Sequence, residues 1–422
     1  MGFSTAPDVD HEAPGPVAPS ERIAVLDILR GFALFGVLVV NLPDLAWETG
    51  VSATRSGLLH QSIQWVVDFA FGHRFLGLFS ILFGVGFVIQ KERAARRGKP
   101  FLPVYLRRMA VLLVFGLLHA LIYPGDILVR YALVGLLLPL AYRGSVRTVT
   151  VAAAALVILS AVGPVVGDLT GHLVSEPVVR VLDDANRSEF CSQTRERIMA
   201  EGIGGRRELY ERGRLSQVAP VNLCRLPAEA RWWIRTGRLE GILAYFLIGM
   251  VLARVGFFAG VQERKRLLKG VLLGGAVLGF ALLALEMLTP DVETAMWDLV
   301  KRSLLSVGRL ATCLAYGSGV ILAFMTPTGV RILSPLGSVG RMALTAYLGQ
   351  SLIATTLFYG YGLGWGRTLS SAGVIAVGFG IYAVLIPFCV VWLRYFRFGP
   401  LEWIWRSITY GRVQPLRGGA GR

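Results

Sequence analysis

The chain has 422 residues, 54% of them hydrophobic and 17% charged, with a mean hydropathy of +0.59. Soluble globular proteins carry about 25% charged residues, so an ordinary soluble domain is excluded and a membrane protein is expected. The net charge of +16 would suit a nucleic-acid binder, but the basic residues cluster in short loops between apolar runs, where they set topology and meet anionic headgroups. The lipid bilayer is the expected partner, and no nucleic acid is.

Residues 1–21 are acidic and proline-rich, with no positive segment ahead of an apolar core. They read as a disordered cytoplasmic tail without a cleavable signal peptide. A helix needs about 20 apolar residues to cross the hydrocarbon core. Ten segments meet or approach this: 24–45, 70–90, 104–122, 126–142, 148–167, 239–257, 267–287, 303–325, 340–360 and 371–393. The expected fold is therefore all-α, a polytopic membrane bundle of about ten transmembrane helices. Residues 22–167 hold the first five helices and 239–393 the second five, while the run at 62–72 is amphipathic and suits the interface. Between helices 2 and 3, KERAARRGKPFLPVYLRR carries seven basic residues against one acid. Arg143 and Arg147, the run ERKRLLK, and Arg331 with Arg341 mark further loops on the same side. Basic loops lie inside, which makes both termini cytoplasmic and the intended home a bacterial inner membrane. The long polar stretch 168–238 falls outside, where its helical segments predict a small external cap, and 394–422 reads as a cytoplasmic amphipathic segment and tail.

Charged groups inside a bilayer are expensive and mark candidate sites. Asp27 and Arg30 are three residues apart in helix 1, share a face and can pair. They are either an ion pair near the headgroups or part of a site for an anionic donor, since an arginine fork donates two hydrogen bonds to phosphate. Asn41 lies a further eleven residues along, about 16 Å up the helix. His119 closes helix 3 in LLVFGLLHALIYPGDILVRYALVG, and Asp126 opens helix 4 after a Pro-Gly turn. So short a turn brings the two side chains to one level, where a carboxylate can orient an imidazole as a base. The plainer reading is a capped histidine with Asp126 as a helix N-cap. Arg130, one turn beyond, can pair with Asp126 or hold a substrate anion. Thr345, Gln350 and Ser351 are polar groups in helix 9 that serve either packing or a site. Glu240 is an external carboxylate at the start of helix 6, and Arg406, in FGPLEWIWRSITYGR, can help Arg30 hold a cytoplasmic anion. Cys313 and Cys389 sit in apolar runs as packing residues. Cys191 and Cys224 lie in the external loop, where an oxidising compartment predicts a disulfide. No residues have metal-ligand spacing.

The blocks LDILRGFALFGVLVVN, RFLGLFSILFGVGF, RRMAVLLVFGLLHALIYPGDILVRYALVG, YFLIGMVLARVGFF, GRMALTAYLGQSLI and FGPLEWIWRSITYGRVQPLR resemble the YeiB-like bacterial membrane proteins, the domain of unknown function 418. Ala346 stands where that pattern has Asn. The family is distantly similar to membrane acyltransferases, including the third acyltransferase family and heparan-alpha-glucosaminide N-acetyltransferase. In those a histidine follows the first-helix arginine by eleven residues, the place held here by Asn41. Their acyl-transfer histidine is thus not carried over, and His119 is the chemical substitute within the helices. The expected function is transfer of an acyl group from a cytoplasmic thioester of the acyl-CoA type to an external glycan or lipid, with no tightly bound cofactor. The alternative is a transporter or lipid-handling protein without chemistry. The oligomeric state is left open by the sequence.

Overall fold

The computed structural model describes residues 23–49, 62–63, 65–72, 74–169, 176–288 and 295–417. The tail at 1–21 lies outside the described residues. Those residues form helices, with one isolated bridge between Phe396 and Arg417. The helices are α1 (Ala24–Glu48), α2 (Arg74–Arg96), α3 (Leu102–Ala120), α4 (Leu128–Gly135), α5 (Leu138–Ala141) and α6 (Val146–Leu169). Four polar helices follow, α7 (Glu176–Asn186), α8 (Glu189–Ala200), α9 (Arg206–Arg212) and α10 (Leu215–Arg235). The second half holds α11 (Arg238–Arg254), α12 (Lys265–Leu288), α13 (Ala295–Phe324), α14 (Pro327–Arg341), α15 (Ala343–Phe358), α16 (Ser371–Tyr395) and α17 (Pro400–Tyr410).

Six described spans are long and apolar enough to cross a membrane, or seven if the pair α10–α11, bent by 67°, counts as one. Two further apolar segments form shorter helices, Leu128–Ala141 and Ala343–Phe358, and α6 runs over 24 residues. Length and composition therefore establish a helical membrane bundle, with six or seven spans of sufficient length among the described residues. Proline explains one shortening: Pro139 opens α5 and divides the segment expected at 126–142 into α4 and α5. The run expected at the interface contributes a π-helical turn, Val67–Phe71, set against α1 and leading into α2.

Where Arg331 and Arg341 mark a loop in the sequence, the structure has a helix, α14. Its start follows capping rules: Thr326 Oγ1 accepts a 3.0 Å hydrogen bond from the Gly329 amide, and Pro327 stands at the first turn. It packs along α1, which also touches α2, α15 and α16 and so forms the centre of the bundle. The α1–α14 contact is a backbone approach. A Cβ built at Gly31 would lie 2.1 Å from the Leu336 carbonyl oxygen, and one at Gly340 would lie 1.8 Å from that of Asp27. We expect Gly340→Val to drive the helices apart. Overpacking costs about 1–3 kcal/mol, and here the obstacle is backbone, so the upper end applies. Thermal unfolding of purified protein in detergent checks this; an unchanged midpoint would mean that α1 and α14 are not held this close.

The helices α7–α10 gather at the Glu48 end of α1. Arg225 and Arg206 reach the Glu48 carboxylate at 2.9 and 3.1 Å. Arg231 pairs with Asp183, joining α10 to α7. Cys191 and Cys224 form a disulfide between α8 and α10, with Cα atoms 5.6 Å apart. Cys313 and Cys389 are free and fully buried. At the opposite end of the bundle, α17 tucks against α3 and α15. Its Glu402 accepts from the Leu344 and Thr345 amides at 2.6 and 3.1 Å and from Thr345 Oγ1 at 2.6 Å. A carboxylate there caps the amino end of α15 and complements its dipole. Burial pushes the Glu402 carboxyl above its usual range, against these hydrogen bonds, which pull it down. Trp405 Nε1 donates to the Arg108 carbonyl at 3.1 Å, and the Arg108 guanidinium lies 3.9 Å from the Trp405 ring centroid.

Candidate functional site

His119 stands in the last turn of α3, and Asp126 precedes α4 across the Pro-Gly turn. His119 Nδ1 and Asp126 Oδ1 are 2.6 Å apart, and both residues are buried inside the bundle. The other carboxylate oxygen accepts from the Val129 amide at 2.8 Å, so Asp126 caps α4 and holds the imidazole together. An ionised carboxylate can only accept, so with Asp126 in that form the pair places a proton on Nδ1, and in the neutral imidazole Nε2 then presents a lone pair. Nε2 is buried and has no hydrogen-bond partner among the described residues. The Tyr347 hydroxyl, from α15, lies 3.3 Å from Asp126 Oδ1 and accepts from the Ile127 amide at 3.3 Å. Its ring centroid is 5.1 Å from that of His119.

Arg130 does not pair with the Asp126 carboxylate. Its Nε and Nη2 donate to the carbonyls of Asp126 and Gly125 at 3.1 and 2.9 Å, and its guanidinium lies 4.8 Å from the Trp233 ring centroid. The residue braces the turn that sets the His119–Asp126 distance. A second brace comes from α10, where Asn222 Nδ2 donates to the Leu121 carbonyl at 3.0 Å. Asn222 is held in turn by Tyr210, and Tyr210 by Arg225 at 2.8 Å. Burial pushes the Tyr210 phenol up to about 12, so it stays a neutral donor in this chain.

A cavity of about 310 Å³ opens at the other end of the bundle. Its outer part is lined by the start of α1, with Asp27 and Arg30, and by the end of α2, with Arg93 and Arg97. Lys99, Arg108, Arg341 and Arg406 complete the basic lining. Asp27 and Arg30 pair at 2.8 Å, as helix spacing allows. The rest of the lining is largely apolar and aromatic, with Phe79, Phe83, Leu112, Leu128 and Tyr131, and it includes Tyr347. From Phe79 to Arg93 on α2 the lining runs fourteen residues, about 21 Å at 1.5 Å per residue. Tyr347 is thus shared: it walls the cavity, and its hydroxyl touches the histidine–aspartate pair.

The other expected site residues are dispersed. Thr345 is bound to Glu402, and Ser351 donates to the Tyr347 carbonyl of its own helix at 3.2 Å. Gln350 is buried with neither amide atom hydrogen-bonded among the described residues, and the Asn41 amide nitrogen is likewise buried without a partner. Glu240 has one buried oxygen in the same condition. Ala346 is fully buried, so an apolar residue suits its position. Arg406 lines the cavity and stacks 4.7 Å from the Phe398 ring centroid. Sequence reasoning missed Tyr347, Asn222, Arg108 and Trp233, because a tyrosine or asparagine in an amphipathic helix carries no signal until its neighbours are known. Among the described residues no group of three or more His, Cys, Asp or Glu is placed to hold a metal ion.

The family model described as a protein of unknown function (DUF418) matches residues 252–412. Over 419 residues the chain is 30% identical to YxaH of Bacillus subtilis (strain 168), an uncharacterized protein, covering 95% of this chain and 97% of that one. It is 28% identical over 413 residues to the uncharacterized protein YeiB of Escherichia coli (strain K12), covering 94% and 98% of the two chains. No solved structure matches the chain. A relationship that runs from end to end, over the helices of both halves as well as the matched family segment, makes this chain a member of the YeiB-like DUF418 family of bacterial proteins.

Proposed function

We propose that the protein is an acyltransferase of the bacterial inner membrane, moving an acyl group from a cytoplasmic thioester to an envelope glycan or lipid outside. The observation that carries this reading is the position of Tyr347, which lines the basic cavity and touches Asp126. A donor lying in the cavity would direct its thioester toward Tyr347. Nε2 of His119 would take the proton of an acceptor hydroxyl as that oxygen attacks the thioester carbonyl. The C–S bond then breaks, and the thiolate leaves with the proton returned from the imidazolium, so ester and thiol are the products. Asp126 holds the ring in the tautomer that leaves Nε2 basic and offsets the charge it gains. Because Nε2 is buried, the Tyr347 side chain has to shift when the donor arrives.

Both termini are then cytoplasmic and the α7–α10 cap is outside. Reporter fusions after Lys99, Lys269 and Arg417 are expected to read as cytoplasmic, and one near Gly204 as external. A cytoplasmic signal from Gly204 would reverse the orientation and, with it, the sides assigned to donor and acceptor.

Mass spectrometry of envelope glycans and lipids tests the reaction. A strain lacking the protein should lose an acyl mass increment from one component. The wild-type chain should restore it, and His119→Ala should not. If no component changes mass while a lipid or solute changes its distribution across the membrane, the protein is a transporter and the acyl-transfer reading fails.

A further inference from the structure

Three buried side chains toward the cap end of the bundle have polar atoms without a hydrogen-bond partner among the described residues: His119 at Nε2, Gln350 at both amide atoms and Tyr359 at its hydroxyl. They stand on connected elements. Gln350 follows Tyr347 by three residues and shares its face of α15, and the Tyr347 ring centroid is 5.1 Å from that of His119. Tyr359 comes at the end of α15, where its ring centroid lies 4.8 Å from that of Tyr210 in the cap. Tyr210 is bound to Asn222, and Asn222 Nδ2 donates to the carbonyl of Leu121, two residues from His119. Tyr123 joins the three: its ring centroid is 5.9 Å from that of His119, and it interacts electrostatically with both Tyr347 and Tyr359. Packing alone does not call for these groups. A buried amide without partners is costly, and a methionine at position 350 would fill the same space without that cost.

The inventory of donors and acceptors says what would satisfy them. Gln350 Oε1 accepts, its Nε2 donates, the Tyr359 hydroxyl does either, and Nε2 of a neutral His119 accepts. An ionised phosphate only accepts, and would leave His119 Nε2 and Gln350 Oε1 unmet. An ammonium only donates, and would leave the Gln350 nitrogen unmet. Adjacent sugar hydroxyls do both, one donating to Oε1 while its neighbour accepts from Nε2. Two arginines at this end are committed elsewhere, Arg130 to two backbone carbonyls and the Trp233 ring, Arg225 to Glu48 and Tyr210, which suits a neutral ligand. The rings of Tyr123 and Tyr347 beside His119 offer aromatic faces for the C–H groups of a sugar.

We propose that Gln350, Tyr359 and His119 Nε2 form the acceptor site, and that it takes a neutral sugar held by Gln350 through two adjacent hydroxyls. The proposal rests on reading His119 as the base for the acceptor, and it narrows that acceptor to a sugar. An envelope polymer and a glycolipid share this chemistry.

Saturation-transfer NMR of the purified full-length protein, in an uncharged detergent without a sugar head, tests it. The probes are the methyl glycosides of glucose, galactose and N-acetylglucosamine, with glycerol, glycerol phosphate and ethanolamine. At least one glycoside should bind more tightly than the last three. Gln350→Met should weaken that glycoside by about tenfold, as expected for two lost hydrogen bonds, while the melting midpoint stays equal or rises because an unpaired amide is removed. Tyr359→Phe should weaken it less, since one hydroxyl is lost. Undiminished glycoside binding in Gln350→Met overturns the proposal, as does a preference of the wild-type chain for glycerol, glycerol phosphate or ethanolamine over every glycoside. A lower midpoint in Gln350→Met, or a chain that no longer folds, would assign Gln350 to the fold and overturn it too. In the deletion strain, an acyl increment lost from a sugar in the lipid extract identifies the glycolipid source, and one lost from the polymer fraction identifies the glycan; either supports the proposal. Glycoside binding without any acyl mass change would sink the transferase alone, whereas an acyl change confined to a component without sugar would sink this inference alone.

Discussion

Replacing His119 by alanine is expected to lower acyl transfer by about 100- to 10,000-fold, the usual loss when a general base is removed, while the protein stays folded and inserted. The fold should survive because Asp126 keeps its bonds from the Val129 amide and from Tyr347. The lost partner costs about 1–3 kcal/mol, which a bundle with so many other buried contacts can absorb. Asp126→Asn should also reduce the rate, since the amide keeps the shape but lacks the charge that stabilises an imidazolium. Tyr347→Phe is expected to do less, because it keeps the ring that lines the cavity and removes two long contacts of 3.3 Å, to Asp126 and from the Ile127 amide. The measurement is acylated product per amount of membrane-inserted protein. Full activity in His119→Ala would remove the histidine from the mechanism, since Nε2 is the one basic atom that the pair presents.

The second large effect is expected from the cap. In the chain-entropy model, a disulfide closing a loop of 33 residues stabilises by about 3–4 kcal/mol. In Cys191→Ser/Cys224→Ser, α10 keeps Asn222 on the Leu121 carbonyl and Arg225 on Glu48. α8 loses its covalent tie, so it is the element that should loosen. We expect a lower melting midpoint and new protease cleavage between α7 and α9, with α3 to α6 untouched. A reductant should give the same result with the wild-type chain. In protein purified under oxidising conditions both thiols should resist alkylation until reduced. Alkylation without reduction would mean that no bond forms, and would set the cap in a reducing compartment.

What was legible in the sequence is what arises from short range. Asp27 meets Arg30 because three residues are nearly one helical turn. His119 meets Asp126 because a Pro-Gly turn between two apolar helices leaves the chain little choice, and their separation is seven residues. Apolar length likewise declared the membrane bundle, since a bilayer demands helices of a certain span. Cys191 and Cys224 were a pair because they are the two cysteines of the polar loop. Tertiary structure decided the rest. Tyr347 touches Asp126 across 221 residues, Glu402 caps α15 from 58 residues away, and Arg107 reaches the Thr409 carbonyl across 302. Arg130 had two charged roles open to it in the sequence, and only the packed turn turned its guanidinium to backbone carbonyls and Trp233. The basic cavity has the same origin: its arginines come from five separate segments that no periodicity connects. Helix geometry and short turns act through bonds along the chain, so sequence determines them directly, whereas which helix faces which depends on how all their surfaces close together.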